Sequence, residues 1–315
     1  MSRRARAAGL ALGFAADALL GDPGRGHPVA AFGRVARAAE RRWWADSRPR
    51  GAAYTAGLVA GAAGLGWAGE RLVRGSAVGE AAVVAAATWS VLGGTSLARE
   101  GAAMSGLLRE GDLPGARRRL SHLCARDATG LEAGELARAS VESLAENTSD
   151  AVVAPLLWGA VAGAPGLLGY RAVNTLDAMV GYRSARHHRF GWASARLDDL
   201  ANLVPARVAA LLATATAWFV GGRGDDAWRV WQRDAAAHPS PNAGPVEAAF
   251  AGALGVRLGG VNRYGDTVED RGVLDGGREV RVRDLGRAVT LSRAVSVSAL
   301  AVAVLVAAGA GRRRG

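Results

Sequence analysis

Along this chain, uncharged apolar runs alternate with densely charged stretches. The apolar runs cover residues 51–69, 81–98, 151–170, 208–222 (extending back toward 203) and 294–311, with a shorter one at 7–20. Crossing a hydrocarbon core takes about 20 residues of helix. Ala, Val, Leu and Gly fill these runs in blocks and do not form amphipathic stripes, which favours membrane over globular packing. Their small residues let neighbouring helices approach closely. The pattern predicts an all-α, polytopic integral membrane protein with amphipathic loop helices. Pro155 and the Ala164-Pro165-Gly166 turn interrupt the 151–170 run. Breaks of this kind are tolerated at membrane depth where backbone is buried in protein, so a re-entrant segment is one way to build this run.

The polar stretches have distinct characters. Residues 21–29 are a turn rich in Gly and Pro, and 34–50 are strongly basic with Trp43 and Trp44 embedded, as at a cytoplasmic lipid interface. Residues 99–147 have the periodicity of two amphipathic helices broken near 112–115. Residues 224–293 are again polar. With no long-period repeat and no low-complexity linker, residues 1–315 are expected to form one membrane domain. The basic N-terminal residues precede an apolar stretch, but Asp17 interrupts it and a Gly/Pro turn stands where a cleavage site would be, so the segment is expected to be retained.

Charge narrows the chemistry. The formal net charge is +11, and every one of the 39 Lys-or-Arg positions is Arg. That excludes a Walker-A lysine, a Schiff-base lysine and an adenylated lysine. Phosphate must then be held by Arg, by backbone N–H groups or through a metal. No stacking-aromatic motif or zinc finger accompanies the positive charge, so nucleic acid is not an expected partner. Cys124 is the single cysteine, which rules out an intrachain disulfide and a cysteine-based zinc site.

Candidate chemistry concentrates between residues 140 and 202. Glu142, Glu146 and Asp150 are spaced i, i+4, i+8, so a regular helix would line up three carboxylates about 6 Å apart. Either Mg²⁺ compensates them, or they are a solvated acidic face. Arg171, Asn174 and Asp177 share the next face, where they would bind a ligand or satisfy one another. Arg183, Arg186, Arg189 and Arg196, with His187 and His188, form a basic island suited to phosphate or anionic lipid. Further on, His238-Pro-Ser-Pro-Asn242-Ala-Gly, followed by Glu247, is a rigid turn. It can close over a ligand, or enter a helix with Asn242 as cap and Pro245 near its start.

Taken together, the blocks LLGDPGRGHPV, ESLAENTSDAVVAPLLW, YRAVNTLDAMVGY, FGWASARLDDLANLVPAR and HPSPNAGPVEAAFAGALGVRLGG resemble those of the CobD/CbiB family, the adenosylcobinamide-phosphate synthases of cobalamin biosynthesis. Ala151 stands where the family is expected to have Gly, and Arg183-Ser184-Ala185-Arg186 lacks an expected acid. The resemblance implies a multi-pass protein of the cell (inner or plasma) membrane. Its activity would be an ATP-dependent ligase joining adenosylcobyric acid to (R)-1-amino-2-propanol or its O-phosphate, with other enzymes of the pathway as partners. On that basis Glu142, Glu146 and Asp150 are expected to hold Mg²⁺. Glu146 and Asp198 or Asp199 are the expected catalytic groups. Arg171, Arg183 and Arg196 would bind phosphates, and Asn147, Asn174, Asp177, His238 and Asn242 would orient substrate. A non-catalytic scaffold or sensor, or a corrinoid transporter, are the competing expectations.

Overall fold

The computed structural model describes residues 2–22, 26–182, 184–264 and 267–309. Arg183, residues 23–25 of the expected turn and residues 310–311 of the last apolar run lie outside them. In chain order the helices are α1 (Arg3–Leu20), α2 (Pro28–Trp43), α3 (Arg48–Leu72), α4 (Ala77–Val91), α5 (Gly94–Glu110), α6 (Leu113–Leu120), α7 (Ala133–Thr148), α8 (Ala154–Leu176), α9 (Trp192–Thr216), α10 (Gly224–Asp234), α11 (Ala243–Leu254) and α12 (Val282–Gly309). Single π-helical turns follow α7 (Ser149–Val153) and α8 (Asp177–Gly181).

Four helical stretches are long and apolar enough to cross a membrane: Ala77–Glu110, Ala133–Gly181, Trp192–Val220 and Val282–Gly309. The expected span at 51–69 is helical, as part of α3, but is not among the four. Gly51 and Gly66 pack closely against neighbouring backbone, whereas Gly57, Gly61 and Gly64 face open space among the described residues. Residues 99–147 hold parts of three helices, not two. The expected break is present, with Gly111 at φ 77° and the Asp112 carboxylate accepting from Gly115 N–H at 2.8 Å, but 121–132 is a second interruption. A small sheet, unseen in the sequence pattern, has strand order β2-β1-β3: β1 (Val256–Tyr264), β2 (Thr267–Asp275) and β3 (Arg278–Glu279).

The chain divides into two compact units. The first comprises Met1–Gly93, Ala154–Asn202 and Leu300–Gly315. In it α1 packs on α4 through Gly9 and Gly13, where any Cβ would collide with Val84 and Thr88; this is the small-xxx-small device of membrane helices. Tyr54 and Phe190, ring centroids 5.0 Å apart, centre an apolar cluster with Ala36, Leu176 and Val180. Helix α8 breaks at Gly163, whose φ 67°, ψ −147° only glycine tolerates. The freed backbone groups find charged partners. Arg6 donates to the carbonyls of Ala160 (3.0 Å) and Val161 (2.7 Å), and Ala164 N–H donates to Glu70 (2.8 Å). A broken helix survives in lipid only when its polar backbone is satisfied in this way.

The second unit comprises Gly94–Val153 and Leu203–Ala299. At its centre is α11, all of whose residues are buried. Gly252 seats it against the backbone of Ala227 in α10, and Gly244 against the carbonyl of Ala235. A helix apolar on every side belongs in a core. The exception in α11 is Glu247.

Candidate functional site

Each unit holds its own polar cluster. In the first unit, α8 and α9 supply a chain of side chains. Tyr170 Oη donates to Asn202 Oδ1 (2.8 Å), Asn202 Nδ2 donates to Asp198 Oδ2 (3.0 Å), and Asn174 Nδ2 reaches Asp198 Oδ1 at 3.5 Å. Arg171 Nη1 in turn donates to Asn174 Oδ1 at 3.4 Å. Asp177 and Asp199 stand close enough to Asp198 to repel its charge. The sequence expectations for Arg171, Asn174, Asp177 and Asp198 thus fall within one neighbourhood. Asp177 opens a π turn, so the i, i+3, i+6 helical face stops there. Ionisable groups on membrane-length helices are costly, and such clusters mark functional sites. Arg196 is not part of the chain; it makes an exposed pair with Asp199 at 3.6 Å. The basic island is tied down by acids: Arg186 and His187 to Glu40 at 3.2 and 3.1 Å, and Arg189 to Asp46 at 3.6 Å. Arg186 also lies over the Trp44 ring at 4.5 Å.

The second unit builds its cluster where α7, α11 and the sheet meet. Gly259 and Gly260, both at φ near 80°, open a bulge in β1. A bulge turns backbone groups out of the ladder. Here Gly259 N–H donates to Glu142 Oε1 at 2.8 Å, and Gly259 C=O accepts from Arg138 Nη1. Arg126 closes on the other carboxylate oxygen of Glu142, with Arg126 7% and Glu142 2% exposed. Arg138 Nη1 adds a contact at 3.5 Å. Glu142 is therefore fully committed to protein donors. Beside it, Arg126, Asp127, Glu135, Arg138, Val261 and Asn262 line a cavity of about 210 Å³. That is below the ~300 Å³ at which ligand clefts usually begin, so it fits a small molecule and not a corrinoid.

Glu247 presents the opposite case. It is 0% exposed, and neither carboxylate oxygen has a hydrogen-bond partner among the described residues. His238 Nε2 and Arg271 Nη2 both face its Oε1 at 3.6 Å, too far for a hydrogen bond. His238 Nδ1 lies 3.0 Å from Ser240 N and 3.3 Å from Ser240 O, so the Ser240 backbone holds the ring with Nε2 toward Glu247. Burial, reinforced by the Arg271 charge, pushes the His238 imidazole down to about 4. Burial also holds the Glu247 carboxyl well above the usual carboxylate range, against the pull of Arg271 and with the repulsion of Glu142 and Glu146 adding to it.

The remaining expected residues fall as follows. The π turn after α7 interrupts the helical repeat at Asp150, so the three-carboxylate stripe does not continue to it. Among the described residues no group of three or more His, Cys, Asp or Glu side chains is placed to hold a metal ion. With Glu142 enclosed by two arginines and a backbone N–H, the set Glu142, Glu146 and Asp150 does not fit a resident Mg²⁺. Asn147 donates to Ser143 O and Oγ, on its own helix, at 2.9 and 3.1 Å. Asn242 precedes α11, but its side chain caps nothing. Ser240 Oγ accepts from Ala243 N–H (3.2 Å) instead, and Asn242 Oδ1 accepts from Arg207 (3.2 Å). The sequence reading passed over Arg126, Arg138, Glu247 and Arg271 as site residues. A lone acid in a run of small apolar residues, and a Gly-Gly pair inside a strand, were the signals that point to them.

The chain matches the family model described as CobD/Cbib protein over residues 10–292. It is 54% identical over 302 residues to "Cobalamin biosynthesis protein CobD" of Mycobacterium tuberculosis (strain ATCC 25618 / H37Rv), covering 96% of each chain. The protein of the same description from Geobacter metallireducens is 48% identical over 256 residues, 79% of this chain and 80% of the relative. The one from Chromobacterium violaceum is 42% identical over 305 residues, 93% and 95% of the two chains. No solved structure matches.

Proposed function

Because the chain belongs to the CobD/CbiB family, we propose that it is the membrane-bound, ATP-dependent amide ligase that joins adenosylcobyric acid to (R)-1-amino-2-propanol or its O-phosphate. The observation that carries this reading is the similarity to cobalamin biosynthesis proteins over 96% of the chain. The four membrane-length helices support a multi-pass location in the cell membrane, where other enzymes of the pathway would meet it.

A carboxylate is a poor acyl donor. Transfer of the γ-phosphoryl group of ATP to the corrinoid carboxylate gives an acyl phosphate and ADP. The amine lone pair then forms the C–N bond while the C–O bond to phosphate breaks, and a proton leaves the nitrogen. Such a reaction is accelerated by positioning and by stabilising charge, which buried carboxylates, amides and arginines do without a protein nucleophile. Glu146 and Asp198 are the groups proposed to accept protons, with Asp199 the alternative to Asp198. Arg171, Arg183 and Arg196 are assigned to phosphates. Asn147, Asn174, Asp177, His238 and Asn242 are assigned to substrate orientation. ATP enters as its magnesium complex, a substrate; no step is assigned to a metal held by the protein.

The test is membranes carrying the protein, given adenosylcobyric acid, aminopropanol phosphate and Mg-ATP. Nucleotide hydrolysis that requires both organic substrates, with adenosylcobinamide phosphate formed, supports the ligase. Binding of corrinoid without turnover points to a scaffold, and its movement across sealed vesicles to a transporter.

A further inference from the structure

We propose that the carboxylate of Glu247 receives the positively charged amine of the small substrate, between the imidazole of His238 and the guanidinium of Arg271. The inference rests on the ligase reading and goes beyond it by naming where the nucleophile is recognised.

The contrast between two carboxylates of one unit carries the inference. Glu142 and Glu247 are equally withdrawn from water, at 2% and 0% exposure. Glu142 accepts from Gly259 N–H and is clasped by Arg126 and Arg138. Glu247 accepts from nothing among the described residues, although two donors stand at 3.6 Å. A carboxylate whose only task is to anchor an arginine closes to ordinary distance. Asp284 and Arg278 in the same unit do so, at 2.7 and 2.8 Å. Leaving a buried carboxylate without donors is expensive, so its retention on a helix otherwise made of small and apolar residues asks for a donor from outside the chain. An alkylammonium brings three N–H groups and one positive charge.

The surrounding charges favour a cation over an anion. The groups facing Glu247 are His238 from the turn before α11, Arg271 from β2, Glu142 and Glu146 from α7, and Arg126 from the segment before α7. Arg126 is committed to Glu142, as is Arg138. Burial and the Arg271 charge disfavour the protonated imidazole, so His238 stands beside the carboxylate without supplying positive charge. Arg271 Nη2 stands 3.6 Å from Glu247 Oε1. Burial raises the Glu247 carboxyl above the usual carboxylate range, and an ammonium beside it favours the ionised form, so binding of the amine is expected to release protons.

The test is calorimetry on the purified full-length protein in detergent. The probes are 1-amino-2-propanol, its O-phosphate, and 1,2-propanediol phosphate, which lacks the nitrogen. Wild type is expected to bind the amino phosphate at least 30-fold more tightly than the nitrogen-free ester. In two buffers of different ionisation heat it should show proton release on binding the amine. Glu247→Gln should abolish both the preference and the proton release, and Glu247→Asp should restore part of the preference. Equal binding of the two esters by wild type, or an undiminished preference in Glu247→Gln, overturns the assignment. If the Gln variant does not fold, the wild-type ester preference and proton release decide alone. A ligation assay run in parallel separates the two claims. Glu247-dependent amine binding with no product sinks the ligase and keeps the site. Ligation with an unchanged KM for the amine in Glu247→Gln keeps the ligase and sinks the site.

Discussion

Asn202 donates to Asp198 Oδ2 at 3.0 Å and accepts from Tyr170 Oη at 2.8 Å, so one buried amide joins α8 to the acidic face of α9 with both of its ends used. Tyr170→Phe removes one donor and is expected to lower stability by about 1 kcal/mol. Asn202→Leu takes an acceptor from the Tyr170 hydroxyl and a donor from Asp198 together, and should cost roughly 2–6 kcal/mol at about 1–3 kcal/mol per lost partner. Denaturation of the detergent-solubilised protein checks the order. A leucine variant as stable as the phenylalanine variant would mean that the amide is not the link.

The pairing of Arg126 with Glu142 separates structural from chemical importance. Removing one member breaks a buried ion pair, so Glu142→Gln and Arg126→Met should each destabilise by about 3–5 kcal/mol. The double replacement Arg126→Met/Glu142→Leu should recover most of that, because well-packed apolar groups often substitute for a buried ion pair without loss. Unfolding midpoints of the three variants are the measurement. If Glu142→Gln keeps full stability yet loses ligation, Glu142 acts on substrate and not on the fold.

Much of this was legible in the chain. The helical membrane class, the interruption of α8, the break near 112–115 and the pairing of Arg171 with Asn174 follow from apolar run length and i, i+3 spacing. What periodicity cannot see is a change of period. The π turns displace Asp150 and Asp177 from the stripes that regular helices would give. Nor does a sequence window reveal long-range partners. Glu142 meets Gly259 across 117 residues, and Glu247 meets Arg271 on a strand. The Asn242 cap was a sound local expectation defeated by competition. Ser240 reaches the Ala243 N–H, while Arg207 takes the asparagine oxygen.

Acid and alkali should act on different residues of the second unit. The folded-state pKa of His238 is depressed from 6.5 to about 4. Its contribution to stability is therefore fully present above about 6.5 and is lost as pH falls toward 4. Glu247 has the opposite sign. Its pKa is raised from 4.5, so its contribution is complete below that value and is lost as pH rises through the folded-state pKa. Between pH 6.5 and 4.5 the two slopes oppose, so on acidification melting temperature should drop less in His238→Gln than in wild type. As pH rises from 4.5, Glu247→Gln should lose less stability than wild type. Parallel profiles for wild type and both variants would mean that neither group titrates as its burial demands.

The break in α8 makes a final demand on sequence. Gly163 sits at φ 67°, ψ −147°, a region essentially closed to side chains, so Gly163→Ala is expected to cost about 1–3 kcal/mol or to restore a continuous helix. The second outcome would deprive Arg6 and Glu70 of their backbone partners, since Ala160, Val161 and Ala164 would bond within the helix. Glu70 replacements distinguish a charge requirement from a hydrogen-bond requirement. Glu70→Gln retains an acceptor for Ala164 N–H and should stay within about 1 kcal/mol of wild type, whereas Glu70→Leu orphans that N–H and should lose roughly 1–3 kcal/mol. Equal losses in the two variants would show that the negative charge, and not the acceptor, holds the break in place.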